Sequence, residues 1–381
     1  MTWIIYAGAG LVLLVIAAAV FRNIRKKGRN TEPPPYTEAL LSFIEGDRDS
    51  ALALLTTAVR KNTENIMAYV LLGNIIREKG NPQKAIKIHR NLLVRTNLTR
   101  TETREVLIAL IRDFREAGHF ARAAEMAEKL VKQDRKNPQY QELLLALYEE
   151  NQSWDKAYFQ RQALNRWKKQ KDSYVLALYK VEAGLAAVKQ GAEKEGRIRF
   201  REAIKLNKKC VPAYINWGDS LRRENRQAEA LSVYTNLTKK NPPFAFAVFD
   251  RVKDVLFELG RYGEIELLYK DVIARDPDNF EAHLHMAELH MKQGNIERAE
   301  KECRDLYNRH PRSKRCGLLL ISILRLKQEE REALRIAAQL LKNHIQSDMY
   351  TCSRCGHTSE EMCWHCPSCG AWDSFSWSDN T

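Results

Sequence analysis

Apolar positions along this chain fall into three regimes. Residues 3–21, WIIYAGAGLVLLVIAAAVF, carry no charge at all. From about residue 36 to 343, apolar residues recur at three- and four-residue spacing, the period of helices with one buried face, and single turn residues interrupt the pattern. After residue 350 the chain turns to short runs of cysteine, glycine and aromatic residues. The first regime is just long enough to cross a bilayer as a helix, so it predicts a transmembrane anchor over 1–21. A cleaved signal peptide and a buried core helix are the competing readings. A signal peptide wants positive charge before its apolar run, yet only Met1 and Thr2 precede this one. Arg22, Arg25, Lys26, Lys27 and Arg29 come after it. The positive-inside rule then places residue 22 onward in the cytoplasm. Residues 22–35 read as a basic, proline-rich linker, because the run TEPPPY (31–36) favours stiff, extended backbone.

The second regime repeats. The turn residues of successive helical hairpins are Gly46, Gly80, Gly118, Gln152, Gly191, Asn225, Gly260, Gly294 and Gln328. Six of the eight intervals between them are 34 or 35 residues, and the others are 38 and 39. Five residues after each turn stand Ala51, Ala85, Ala123, Ala157, Gly196, Ala230, Ile265, Ala299 and Ala333. A small residue there lets the second helix approach the first, and Ile265 is the exception. First helices carry a small residue as well: Gly73, Gly218 and Ala287. Prolines, Pro311 among them, follow several hairpins. This pattern resembles the tetratricopeptide repeat over 36–343, about nine hairpins. The long intervals predict extended helices or loops near 96–104 and 165–180. Each hairpin buries its faces only against its neighbours, so the expected product is a superhelix with a partner-binding groove.

Composition adds little chemistry to the array. It contains no glycine-rich phosphate loop, no Gly-x-Ser-x-Gly and no His-Glu-x-x-His, so no enzyme activity and no catalytic residue is expected. His283, His285 and His290 are close in sequence, but the helical period sets 285 apart from the other two. Trp154 and Trp217 read as core packing. The net charge is +14, and residues 161–209 hold fourteen Lys or Arg against five Asp or Glu. A solvated helix face is the plain reading of that stretch, and contact with an acidic protein or anionic headgroups is the functional one. Nucleic acid is not an expected partner, because no nucleic-acid fold accompanies the charge. The tail carries only Arg354 against Glu360, Glu361, Asp373 and Asp379.

The third regime, YTCSRCGHTSEEMCWHCPSCGAWDSF (350–375), contains five of the eight cysteines. In Cys352-x-x-Cys355 and Cys366-x-x-Cys369, each second cysteine is followed by a glycine, Gly356 or Gly370. A Cys-x-x-Cys-Gly turn folds tightly enough to aim both sulfurs at one ion, and glycine accepts the positive φ involved. Two such knuckles supply a tetrahedral four-thiolate site. So small a tail builds little core, and its metal would hold it together. The expected ligands are Cys352, Cys355, Cys366 and Cys369. Other registers would use Cys363, His357 or His365. A rubredoxin-like ribbon of this kind over 350–377 accepts one iron or zinc ion. Trp364, Trp372, Phe375 and Trp377 are expected to cover the site or pack it onto the last repeats. Electron transfer through iron, or nucleic-acid binding by a zinc ribbon, are the alternatives to a structural role.

The full order of features resembles the lipopolysaccharide assembly protein B family. The closest likeness lies in Cys355-Gly356 and WHCPSCGAW (364–372), with a second in LLGNIIREKGNPQKAIKIHRNLL (71–93). Cys363 departs from the family pattern. The resemblance implies an all-α fold: a tetratricopeptide superhelix with an N-terminal transmembrane helix and a small C-terminal rubredoxin-like ribbon. It further implies a single-pass protein of the bacterial inner membrane, with its N-terminus periplasmic and its repeats and ribbon cytoplasmic. The implied role is a regulator of lipopolysaccharide biosynthesis, an adaptor that promotes degradation of the deacetylase LpxC by the protease FtsH and coordinates assembly proteins.

Overall fold

A computed structural model describes residues 34–169, 171–342 and 349–377. The chain forms two compact units, one ending at Ser153 and one beginning at Trp154. In the first unit, seven helices follow one another: α1 (Pro35–Ile44), α2 (Arg48–Lys61), α3 (Ile66–Glu78), α4 (Pro82–Leu93), α5 (Arg100–Glu116), α6 (Phe120–Gln133) and α7 (Pro138–Glu150). The second unit continues with α8 (Trp154–Lys168), α9 (Ser173–Lys189), α10 (Glu193–Leu206), α11 (Val211–Arg223) and α12 (Gln227–Lys240). A 3-10 segment, Pro242–Val248, leads into α13 (Phe249–Glu258) and α14 (Glu264–Arg275). The last helices are α15 (Phe280–Lys292), α16 (Ile296–Arg309), α17 (Lys314–Leu326) and α18 (Glu330–Lys342). Three short strands close the unit: β1 (Tyr350–Cys352), β2 (Thr358–Ser359) and β3 (Phe375–Trp377).

The turn residues read from the periodicity all stand at positive φ, from +52° at Gln152 to +88° at Gly46. A left-handed residue is what stops one helix and reverses the chain within a tight turn. Gln152, Asn225 and Gln328 adopt this conformation without being glycine. Starts are set just as locally. Asp47, Asn81 and Asn279 accept backbone N–H bonds at their helix N-termini, and Thr99 with Glu102 forms a reciprocal capping box. Both long sequence intervals resolve into 17-residue first helices, α5 and α9.

Small residues let the helices of a hairpin interlock. Ala51, Ala85, Ala123, Ala157, Ala230 and Ala299 are all 0% exposed. On the facing helix, a Cβ at Gly184 would strike the Phe200 ring, and one at Gly218 would strike the Tyr234 ring. Ile265 marks the repeat that departs most. Its first helix, α13, is only ten residues long, and the 3-10 segment stands where the helix would have begun.

The anchor expected over 1–21 lies outside the described residues. Among the described residues no helix is long and apolar enough to cross a membrane. The longest have 17 residues and span about 25 Å against a hydrocarbon layer of about 30 Å. They also carry charge, including Asp113 in α5 and Glu182 in α9. The fold class is corrected to tetratricopeptide-like repeats with a C-terminal cysteine-rich ribbon. Attachment to the inner membrane through an N-terminal helix is withdrawn, as is the single-pass topology with a periplasmic N-terminus. The membrane-anchored form of the adaptor acting on LpxC and FtsH, which the resemblance implied, is withdrawn with it.

Candidate metal centre

The ribbon is a three-stranded antiparallel sheet in the order β2-β1-β3. Cys352 is paired with Phe375 across β1 and β3. At its end the first knuckle begins. Cys352 N–H donates to His357 O at 2.8 Å, and Gly356 N–H donates to Cys352 O at 2.9 Å. The second knuckle repeats this pattern: Cys366 N–H to Ala371 O at 2.8 Å, and Gly370 N–H to Cys366 O at 2.9 Å. Gly356 has φ +73° and Gly370 has φ +66°. The two turns are the same object built twice, and they face each other.

Their four sulfurs all lie within 4.8 Å of one another. Cys352 Sγ is 3.8 Å from Cys369 Sγ, and Cys355 Sγ is 3.7 Å from Cys366 Sγ. A tetrahedron of thiolates at the usual zinc–sulfur bond length has edges of about 3.8 Å. The residues therefore fit one tetrahedral iron or zinc ion, and tetrahedral sulfur suits both metals. Cys352 and Cys366 are each 1% exposed, while Cys355 faces solvent. A hydrogen bond from Ser374 Oγ, 3.1 Å from Cys352 Sγ, holds that thiol down at about 6, with backbone amides of the knuckle adding to the effect. A donor aimed at sulfur stabilises the thiolate a metal requires.

The alternative ligands point elsewhere. Cys363 Sγ lies near Ser359 Oγ and Glu361 O. His365 stacks on Trp372 with ring centres 4.1 Å apart, and His357 meets Phe375 edge-on. In the array, His283 bonds Glu302 and Pro277 O, His285 packs with the rings of Phe249 and Tyr269, and His290 is buried. Among the described residues, the four ribbon cysteines are the one metal-capable group.

The ribbon's tryptophans, expected to cover the site or pack it onto the last repeats, reach the middle repeats. Trp372 meets Trp154 of α8 at 6.0 Å and Tyr179 of α9 at 5.3 Å, both edge-on. Trp364 lies 5.9 Å from Phe244 of the 3-10 segment. Phe246 of the same segment packs on the ribbon's own small core of Tyr350, Cys352, Cys366, Ala371 and Phe375. A cavity of about 470 Å³ remains beside this contact, walled by Phe244, Phe280, Tyr350 and Phe375. The irregular repeat thus supplies one part of the ribbon's seat, and α8 and α9 supply another.

Sequence reasoning also missed a buried charged cluster in the first unit. His89 and Asp113 are both 0% exposed. His89 Nδ1 is 2.5 Å from Asp113 Oδ2, and its Nε2 is 3.1 Å from Val70 O. Arg77 Nη1 donates to Asp113 Oδ1 at 2.8 Å. The cluster ties α3, α4 and α5 together. A signal existed: His89 is sixteen residues after Gly73, the spacing of Gly184 to Phe200 and Gly218 to Tyr234, and it occupies the aromatic position of those pairs.

Comparison with known proteins agrees part by part. The family description "Rubredoxin metal binding domain" matches residues 350–376, and "Tetratricopeptide repeat" matches 36–94, 108–171 and 256–323. Lipopolysaccharide assembly protein B of Escherichia coli K12 is 23% identical over 343 residues, covering 89% of this chain and 88% of that one. The Haemophilus influenzae protein of the same name is 23% identical over 386 residues, covering 95% and 96%. Homology to this repeat-built family is consistent with a protein that has no enzymatic activity. The similarity to the lipopolysaccharide assembly protein B relatives thus runs through both the repeats and the ribbon and over most of each chain.

Proposed function

We propose that this protein is a non-enzymatic adaptor that regulates lipopolysaccharide assembly. Its hairpins, 36–343, present a groove to proteins of the lipopolysaccharide pathway. Its ribbon, 350–377, holds one iron or zinc ion on Cys352, Cys355, Cys366 and Cys369 and braces the middle repeats. The observation that carries this reading is the end-to-end similarity to relatives named for lipopolysaccharide assembly. Two physical points support it. Stacked hairpins bury their faces on one another and leave an extended surface for a partner. A four-thiolate site has no open coordination position, so its metal contributes folding energy rather than catalysis.

The test is depletion of the protein in its bacterial host, with lipopolysaccharide quantified per cell. The expected result is an altered level, restored by the natural chain but not by the Cys352→Ser/Cys366→Ser double variant. An unchanged level on depletion overturns the reading.

A further inference from the structure

The first unit carries a pocket that belongs neither to the ribbon nor to its docking surface. Helices α4, α5 and α6 enclose an open cavity of about 410 Å³. Its floor is apolar, made by Val94, Leu110, Phe114 and Met126. Leu110 and Phe114 are buried, whereas Val94 is 81% exposed beside them. The rim is charged, with Arg90 from α4 and Arg122, Glu125 and Lys129 from α6. Residues 122, 125, 126 and 129 follow the i, i+3, i+4, i+7 spacing, so a single face of α6 supplies this side of the pocket.

The pocket sets its cations around an apolar floor. Three arginines elsewhere in the unit are paired, Arg48 with Glu78, Arg77 with Asp113 and Arg115 with Glu150, and none of them lines this pocket. Among the described residues, Arg90, Arg122 and Lys129 form no ion pair. Three uncommitted positive charges around an apolar floor form a surface whose complement is an apolar side chain flanked by carboxylates.

We propose that this pocket docks an acidic peptide segment of a partner protein, with one large apolar side chain inside and carboxylates on Arg90, Arg122 and Lys129. The inference goes beyond the groove reading and does not depend on the ribbon. A peptide fits better than a lipid for two reasons. Leu110 and Phe114 close the floor, so no channel continues inward for an acyl chain. Glu125 on the same rim can accept a peptide N–H, a donor that a phosphate group lacks.

The experiment uses the full chain and three probes at low ionic strength. The probes are a fluorescein-labelled acidic peptide, EDLFELDE, its basic counterpart, KRLFKLRK, and vesicles of phosphatidylglycerol and phosphatidylethanolamine. Anisotropy should report binding of the acidic peptide that weakens as salt rises. The Arg122→Glu/Lys129→Glu variant should lose about tenfold or more in affinity, as expected for reversed charges at a contact. Both side chains are exposed, so its thermal melt should match that of the natural chain. The proposal is overturned if the acidic peptide fails to bind, if it binds the variant equally well, or if the basic peptide binds as tightly. It is also overturned if only vesicle binding depends on Arg122 and Lys129, which would assign the pocket to lipid.

Discussion

Helix α11 and strand β1 belong to the same unit, yet they stay folded for different reasons. α11 buries Val211, Tyr214 and Leu221 in a cluster that continues through Ala230, Tyr234 and Val248 to Val272. Its neighbours in sequence are its neighbours in space, and each helix supports the next. β1 has three residues, β2 two and β3 three, around a core of five buried side chains, two of which, Cys352 and Cys366, belong to the four-thiol cluster. Hydrophobic burial on that scale does not offset the entropy of ordering the tail. The array is held by many small apolar contacts, while the ribbon relies on one site. Damage should therefore spread differently in each.

The largest effect follows from removing a ligand. Cys352→Ser should abolish metal binding, costing the ribbon on the order of 10 kcal/mol of folding energy. Far-ultraviolet circular dichroism should still report the helices, and metal analysis should find no ion. A joint loss of helicity would erase the contrast.

Trp372→Ala comes next, at about 3 kcal/mol, because it removes the ring that meets Trp154 and Tyr179 edge-on. It should free the ribbon from the middle repeats while leaving its metal bound. Metal content near that of the natural chain, together with faster hydrogen exchange around Tyr179, is the expected pair of readouts.

Within the array, Gly218→Val drives a side chain into the Tyr234 ring and should cost about 2 kcal/mol. Its thermal transition should fall with no change in metal content. The smallest effect belongs to Cys363→Ser, within about 0.5 kcal/mol and with the metal retained, since Cys363 Sγ lies outside the four-sulfur group. Metal loss from that variant would show the ligand register to be wrong.

The two regions also differed in how far they could be read from sequence. Hairpin turns are local events, so the repeat spacing located the positive-φ residue of each hairpin turn, including Gln152, Asn225 and Gln328. The knuckles are equally local, and Cys-x-x-Cys-Gly identified the thiols that the structure gathers. The ribbon's seat was not legible. Trp372 reaches Trp154 and Tyr179 across about two hundred residues, because small rotations accumulate from repeat to repeat. The Asp113 network was hidden for another reason: a charged residue on an amphipathic helix reads as solvent-facing until its partners are known. The apolar run at 3–21 lies outside the described residues, and among those no helix is long and apolar enough to span a bilayer.

The central claim is that one metal ion, and little else, keeps the ribbon folded against an array that does not need it. Hydrogen exchange with mass spectrometry on the full chain, before and after metal removal by a strong chelator, tests it most directly. The account predicts that protection over 350–377 collapses and that residues 35–150 exchange as before. A ribbon that stays protected without its metal would contradict it.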